Sequence, residues 1–264
     1  MATARRVLLI AATTGYQLRT FEQAARNLGL DVVLATDRCH VLDDPWGDRA
    51  FSVRFEDPEA AAEALSDLAP KPEAVVAVGD RPTLIASLTA RKLGIPFHPP
   101  EAVLACRDKF RARECFQQAG LLTPKYVRLP LEAPVEIEAR TTSYPCVLKP
   151  LGLSGSRGVI RANDPAEFLA AFDRIRALLQ SPDIQRTREE QHRFIQVESY
   201  IPGREYALEG VVSAGKLQVL ALFDKPDPLD GPFFEETIYT TPPRAPQAVQ
   251  DAIVRATQQG IHAL

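Results

Sequence analysis

The sequence predicts an α/β protein built from a small parallel-sheet domain followed by an α+β domain. Three observations support this prediction. Short apolar runs alternate with helical periodicity in the first third of the chain. Prolines at positions 96, 99 and 100 interrupt that pattern, and the later apolar runs are mostly strands that follow one another. We therefore expect domains at residues 1–100 and 101–264.

The first domain begins with a fully buried strand at residues 7–12, followed by a helix with Leu18, Phe21, Ala25 and Leu28 on one face. Further elements are predicted in the order strand, helix, strand, helix at residues 32–35, 60–68, 74–78 and 83–93. Parallel sheets bind ligands at the carboxyl ends of their strands. The turns containing Thr14, Tyr16 and Asp80 are therefore candidate substrate positions, although simple turn chemistry explains them equally well.

The second domain is predicted to begin with a helix at residues 108–119 that turns Phe110, Cys115, Phe116 and Ala119 inward. A second helix carries Phe168, Phe172, Ile175 and Leu179 at helical spacing, and a final helix covers residues 246–263. Short strands are expected at residues 146–149, 159–161, 194–198, 206–212 and 217–223. The charged stretch at residues 186–193 is predicted to be a solvated excursion.

Composition excludes several classes of protein. With 31 Lys and Arg against 34 Asp and Glu, the net charge of −3 favours neither nucleic acid nor an anionic membrane as a partner. No apolar run approaches the ~20 residues that cross a bilayer. The four cysteines form no C-x-x-C pair, and with the four histidines they make no zinc pattern. A reducing cytoplasm is the expected location.

The most informative segment is a loop rich in glycine and serine that follows Lys149. Glycines at positions 152, 155 and 158 free the backbone to bring N–H groups against an anion, while Ser154 and Ser156 add hydroxyl donors. The loop joins two predicted strands, whereas a Walker loop or a dinucleotide turn would open a helix. A structural turn and a phosphate loop both fit the segment taken alone.

Several motifs then occur in a fixed order. Asp108-Lys109 opens a helix, Lys149-Pro150 ends a strand before the glycine-rich loop, and a hinge-like segment runs from Glu198 to Glu205 as E-S-Y-I-P-G-R-E. This order resembles the ATP-grasp superfamily. The first domain looks like the pre-ATP-grasp domain of that family, and residues 125–200 look like its lid-bearing subdomain.

The resemblance implies a role for each matching position. Lys109 and Lys149 would hold the α- and β-phosphates of ATP, with residues 152–158 as the lid over the phosphates. Residues 198–201 would form the hinge that meets adenine, through backbone groups of Tyr200 and Ile201 and apolar contact with Val147 and Ile201. Glu205 would accept from the ribose, and Lys225 and Glu236 would face a substrate channel.

The resemblance also implies an activity. A carboxylate would attack the γ-phosphate of ATP, and an amine would displace phosphate from the acyl phosphate. Mg²⁺ is the expected metal, with Mn²⁺ as an alternative, and its ligands are expected beyond Leu264, so that the chain is predicted to be a truncated ATP-grasp domain. A bicarbonate-activating subunit, a non-catalytic ATP-binding module and a structural protein stay open, and so does a homodimer. The expected partners are small molecules.

Overall fold

A computed structural model describes residues 5–12, 17–37 and 49–264. The chain forms two compact units, Met1–Leu104 and Ala105–Leu264. The predicted α/β fold class is confirmed, with a parallel sheet in the first unit and antiparallel sheets in the second. The candidate turn residues Thr14 and Tyr16 lie outside the described residues.

The first unit contains a parallel sheet with strand order β3-β2-β1-β4. Side chains alternate across its central strand: Leu8 and Ile10 belong to one buried cluster, and Leu9 and Ala11 belong to another. The sheet is therefore buried on both faces. Its elements are β1 (Arg6–Ala11), α1 (Leu18–Asn27), β2 (Asp31–Thr36), β3 (Ala50–Ser52), α2 (Pro58–Ser66), β4 (Ala74–Val78) and α3 (Asp80–Leu93), and they are followed by α4 (Pro100–Arg107).

The second unit contains a four-stranded antiparallel sheet and a separate two-stranded sheet. The four-stranded sheet has the order β5-β8-β6-β7, and the two-stranded sheet pairs β9 with β10. Helices occupy chain segments before, between and after these strands. The elements are α5 (Lys109–Gln118), β5 (Tyr126–Pro130), α6 (Glu136–Thr141), β6 (Cys146–Pro150), β7 (Ile160–Ala162), α7 (Pro165–Leu179), α8 (Pro182–Gln185), a 3₁₀ helix (Glu190–Arg193), β8 (Phe194–Ser199), β9 (Tyr206–Ser213), β10 (Lys216–Asp224) and α9 (Gln247–Ala263).

Helix α7 covers one face of the four-stranded sheet. The side chain of Asp164 caps the N-terminus of α7 by accepting a hydrogen bond from the backbone N–H of Glu167, and Pro165 occupies the first turn. The predicted stripe is buried against Leu148 and Ile195 and consists of Phe168, Phe172, Ile175 and Leu179. Because side chains alternate along a strand, the residues between these core positions lie on the opposite face of the sheet. The register pairs Val147 with Glu198 and Lys149 with Gln196 there.

Two predictions about the second unit hold only in part. All residues of α5 are described and none is buried, so the predicted inward face of Phe110, Cys115, Phe116 and Ala119 is only partly covered. Residues 186–193 include a 3₁₀ helix whose His192 is buried and contacts the Thr187 hydroxyl at 3.1 Å through Nδ1. The charged composition of this stretch predicts exposure, but its one histidine is buried.

Among the described residues, no helix combines the length and apolar character needed to span a membrane.

Candidate functional site

A buried carboxylate with two cations lies on the sheet face opposite α7. Glu198 is only 4% exposed. Its Oε2 is 2.5 Å from Lys149 Nζ, and its Oε1 accepts from Arg113 Nε at 2.8 Å. Gln196 Nε2 also donates to Oε1, at 2.5 Å. One negative and two positive charges therefore leave this cluster with a net charge of +1.

The two cations decide the protonation state of Glu198. Burial alone would raise the pKa of the Glu198 carboxyl, because desolvation disfavours the charged form. The charges of Lys149 and Arg113 and their hydrogen bonds outweigh burial and hold this pKa below its usual range. The carboxylate is therefore ionised at neutral pH, and it needs at least one cation beside it.

A cavity of about 360 Å³ opens beside this cluster. Lys149, Arg113 and Glu198 line it, together with Ser156 from the predicted lid. The predicted hinge and its neighbours supply the rest of the wall, which consists of Val147, Val159, Ser199, Tyr200, Ile201, Pro202, Gly203, Arg204, Glu205, Leu229, Phe234 and Glu236. The structure thus brings Lys149, the lid residue Ser156 and the hinge residues to one cavity, whereas the lid residues Ser154, Gly155 and Gly158 line a second cavity.

One group of the predicted hinge is already engaged. The backbone N–H of Tyr200 donates to the Pro145 carbonyl at 3.1 Å, so it cannot also bind a ligand. Recognition of a planar base by this segment would fall to the Tyr200 carbonyl and the Ile201 N–H. The expected apolar contacts remain accessible, because Val147 and Ile201 both line the cavity.

The loop between β6 and β7 is the predicted lid, and its three glycines differ in their surroundings. A Cβ on Gly152 would lie 1.9 Å from Gln191 Nε2, and one on Gly158 would lie 2.9 Å from Leu178 Cδ2. Gly155 has a φ of +63° and open space around it. At Gly152 and Gly158 the absence of a side chain therefore allows a close approach of neighbouring side chains.

Lys109 holds the base of this loop. Asp108 caps α5 by accepting from the backbone N–H groups of Phe110 and Arg111, so Lys109 occupies the first helical position. Its backbone N–H donates to the Leu151 carbonyl at 3.1 Å, and its Nζ donates to the Leu153 carbonyl at 2.7 Å. The lysine predicted to bind phosphate thus contacts the first residues of the lid.

A second ionic cluster contains two carboxylates that line the cavity, Glu205 and Glu236. Lys225 is buried, and its Nζ donates to Glu205 Oε1 at 2.5 Å and to Glu236 Oε1 at 2.7 Å. Burial alone would lower the pKa of Lys225, but the two carboxylates outweigh it and raise the pKa. The hydrogen bond from Lys225, followed by that from Tyr239, lowers the pKa of Glu236. The two predicted channel residues are therefore in contact.

The segment from residue 230 to 236 forms hydrogen bonds with Arg161 of β7 and with Tyr200 of the hinge. Arg161 of β7 donates through its backbone N–H to Pro232 O at 2.9 Å and through Nη1 to Asp230 O at 2.7 Å. Its guanidinium lies 4.2 Å from the Tyr200 ring centroid, and Tyr200 Oη donates to Asp230 Oδ1 at 3.2 Å. These contacts hold the chain that carries Glu236 against the cavity.

Sequence reasoning missed Arg113 and Arg161. Arg113 lies four residues after Lys109, so helical spacing alone places both on one face of α5. That spacing was the available signal. Arg161 gave no such signal, because its partners lie about 40 to 70 residues further along the chain.

Within the ranges 5–12, 17–37 and 49–264, no three side chains of His, Cys, Asp or Glu are grouped to hold a metal ion.

Comparison with known proteins agrees with this geometry. The family model for the ATP-grasp domain matches residues 142–264. The solved L-amino acid ligase from Bacillus licheniformis is 27% identical with a TM-score of 0.79, and the match covers 100% of this chain and 62% of that one.

Two curated relatives match parts of the chain. The alanine–anticapsin ligase of Bacillus subtilis (strain 168) is 25% identical over 181 residues, which are 64% of this chain and 37% of that protein. The D-alanine–D-alanine ligase of Stutzerimonas stutzeri (strain A1501) is 32% identical over 82 residues, which are 30% of this chain and 26% of that protein. The chain thus spans well under half the length of these curated relatives. Residues 142–264 thus match the ATP-grasp domain family, and the solved ligase shares the fold of the whole chain.

Proposed function

We propose that this chain binds ATP and takes part in the ATP-dependent joining of a carboxylate to an amine. The observation that carries the proposal is the cluster of Lys149, Arg113 and Glu198, whose net positive charge faces a cavity between lid and hinge. The names of the relatives support the reaction class, because all three are ligases of amino acids.

The cavity fits a nucleotide in size and in chemistry. Its 360 Å³ falls in the range of small-molecule sites, about 300 to 1,000 Å³. Val147 and Ile201 supply apolar surface for a base, and Lys149 and the Ser156 hydroxyl supply donors for phosphate. We propose that Glu205 accepts from the ribose, in exchange for its present bond with Lys225.

The proposed reaction has two steps. A carboxylate oxygen of the substrate attacks the γ-phosphorus of ATP, the bond to the leaving ADP oxygen breaks, and an acyl phosphate forms. The amine nitrogen then attacks the acyl carbon, phosphate leaves with the bonding electrons, and the nitrogen loses a proton. Neither step needs a nucleophile from the protein, so its residues act by positioning and by offsetting charge.

Each group of the site has a share in that task. Lys149 offsets phosphate charge, and the lid excludes the water that would hydrolyse an acyl phosphate. We propose that Lys225 and Glu236 line the path of the carboxylate or the amine, because Glu236 lines the same cavity as the lid residue Ser156 and accepts a hydrogen bond from Lys225. Bound Mg²⁺ would add charge compensation on the phosphates, but the described residues show no ligand cluster for it, and we assign it no step.

Calorimetric titration of ATP into the 264-residue chain tests nucleotide binding. We expect wild-type binding to weaken at least tenfold in Lys149→Met, because a charge-assisted contact to phosphate is lost. Lys216→Met is the matched control, since Lys216 is exposed on β10. Equal affinities in wild type and Lys149→Met would contradict the proposed site.

Phosphate and ADP release in the same samples tests the reaction. An acyl phosphate would be trapped by hydroxylamine as a hydroxamate when a mixture of amino acids is supplied. Release that depends on bicarbonate instead would favour a bicarbonate-activating enzyme. Binding without any release, in a chain that also contains the rest of a full ligase, would favour a non-catalytic module. The cytoplasmic location and the homodimer stay predictions.

A further inference from the structure

We propose that Arg113 is a positioning residue that neutralises Glu198 and so leaves the Lys149 ammonium for the phosphates of the nucleotide. This inference rests on the proposed function, because it assumes that Lys149 meets phosphate. It adds a residue that neither the sequence motifs nor the family match single out.

The geometry allows Arg113 to hold Glu198 without Lys149. Its Nε donates to Oε1 at 2.8 Å, and its Nη2 lies 3.5 Å from Oε2, so one guanidinium spans both carboxylate oxygens. Lys149 contacts Oε2 alone, at 2.5 Å. If Lys149 turns toward a phosphate, Oε1 keeps its bonds from Arg113 and Gln196, and Arg113 Nη2 is placed to take over Oε2.

Burial makes this counter-ion necessary. A carboxylate as buried as Glu198 is costly to leave without a cation. If Lys149 were the only cation beside it, moving the ammonium to a phosphate would uncover that cost, and Lys149 would stay with Glu198. With Arg113 present, Arg113 and Glu198 form a neutral pair, and the Lys149 ammonium is available to a phosphate.

The two cations are also mounted differently. Arg113 lies on α5, and its planar guanidinium is preorganised for a carboxylate, whereas Lys149 lies one residue before the end of β6 and has a flexible side chain. The residue types therefore suit the two roles, because Arg113 is the fixed counter-ion and Lys149 is the movable point charge.

The test measures Arg113→Met in two backgrounds, wild type and Glu198→Gln, by calorimetry with ATP and with adenosine. In the wild-type background we expect ATP to bind about tenfold more weakly, or about 1.4 kcal/mol, and adenosine to bind unchanged. In the Glu198→Gln background we expect the same substitution to change ATP affinity less than about twofold, because no buried charge remains to hold Lys149.

Three further variants complete the design. Arg113→Lys keeps a cation and is expected to retain most of the ATP affinity, whereas Arg113→Gln removes the charge but keeps a polar side chain and replaces Arg113→Met if that variant fails to fold. Arg111→Met is the matched control, since Arg111 lies on the same helix, is exposed and does not line the cavity. Thermal unfolding of every variant shows which are folded.

Each alternative result has one meaning. An equal loss of ATP affinity in both backgrounds would show that Arg113 touches the nucleotide directly and would overturn the positioning role. No loss in either background would also overturn it. If Lys149→Met weakens ATP binding in the same series, the proposed function survives such a result. If wild type binds no ATP, both proposals are overturned.

Discussion

The two sheets of the second unit are held together by different forces. Helix α7 buries Phe172 and its neighbours completely against the four-stranded sheet. All residues of α9 beside the two-stranded sheet are described, and none is buried. That sheet also leaves apolar side chains such as Leu220 exposed, at 63%. Hydrophobic burial therefore stabilises the first region, and the second depends more on polar contacts.

Those polar contacts are concentrated near the end of β10. Asp224 is only 1% exposed and accepts from Arg204 Nε at 3.0 Å and Nη2 at 2.5 Å. It also accepts from the Arg244 backbone N–H at 3.3 Å, and its own backbone exchanges two hydrogen bonds with Thr240. The difference matters for the cavity, because Lys149 belongs to the packed region and Lys225 to the polar one.

The largest expected effect comes from opening the packed core. Phe172→Ala removes a fully buried ring and is expected to lower the free energy of unfolding by about 3–5 kcal/mol. Leu220→Ala, at an exposed position of the other sheet, is expected to cost less than about 0.5 kcal/mol. Urea unfolding followed by circular dichroism measures both. Similar losses in the two variants would remove the contrast between the regions.

The next effect tests the polar region. Asp224→Asn keeps the shape of the side chain but removes the charge that pairs with Arg204, which is half exposed. We expect a loss of about 1–2 kcal/mol, since solvent screens part of the pair. Hydrogen exchange is expected to rise in β9 and β10 and to stay unchanged in β6 and β8. The control is Asp251→Asn on the exposed part of α9, and an equal loss there would contradict the assignment.

The same contrast explains what the sequence could predict. Long apolar periodicity predicted α7 correctly, because four residues of the stripe, from Phe168 to Leu179, are all buried. The apolar periodicity of α5 predicted an inward face that is only partly covered, because an amphipathic pattern does not show whether another element packs against it. Strand β5 was missed, since Leu129 is its only buried residue. Elements with many buried residues were therefore predicted from the sequence more reliably than elements with few.

The candidate site shows a similar limit. Motif spacing found Lys149 and Glu198, which are adjacent in space because β6 and β8 pair. It could not show that Arg113 completes their charge cluster, since that contact joins residues 85 positions apart. Nor could it show that Gln191 packs on the lid. Short motifs identify residue types, whereas ion pairs and close approaches depend on the folded chain.

A smaller effect separates two glycines of the lid. Gly152→Ala would force the flexible Gln191 side chain aside and is expected to cost about 1 kcal/mol, which Gln191→Ala should relieve. Gly155→Ala has open space but keeps a left-handed backbone, so a comparable cost should persist beside Gln191→Ala. Unfolding free energies of the three single variants and the two double variants measure this. Relief at both positions, or at neither, would contradict the packing role of Gly152.

The smallest effect concerns acid. The folded-state pKa of Glu198 is lowered, so its ion pairs stabilise the chain above the unfolded pKa, about 4.3, and that stability is lost as the pH falls through the folded value. The pKa of Glu236 is lowered too, but this carboxylate is 43% exposed, and solvent screens its pair with Lys225. Glu198→Gln should therefore flatten the fall in unfolding free energy below about pH 5 more than Glu236→Gln does. A larger flattening from Glu236→Gln would mean that the polar region, and not the packed sheet, carries the acid-sensitive charge of the site.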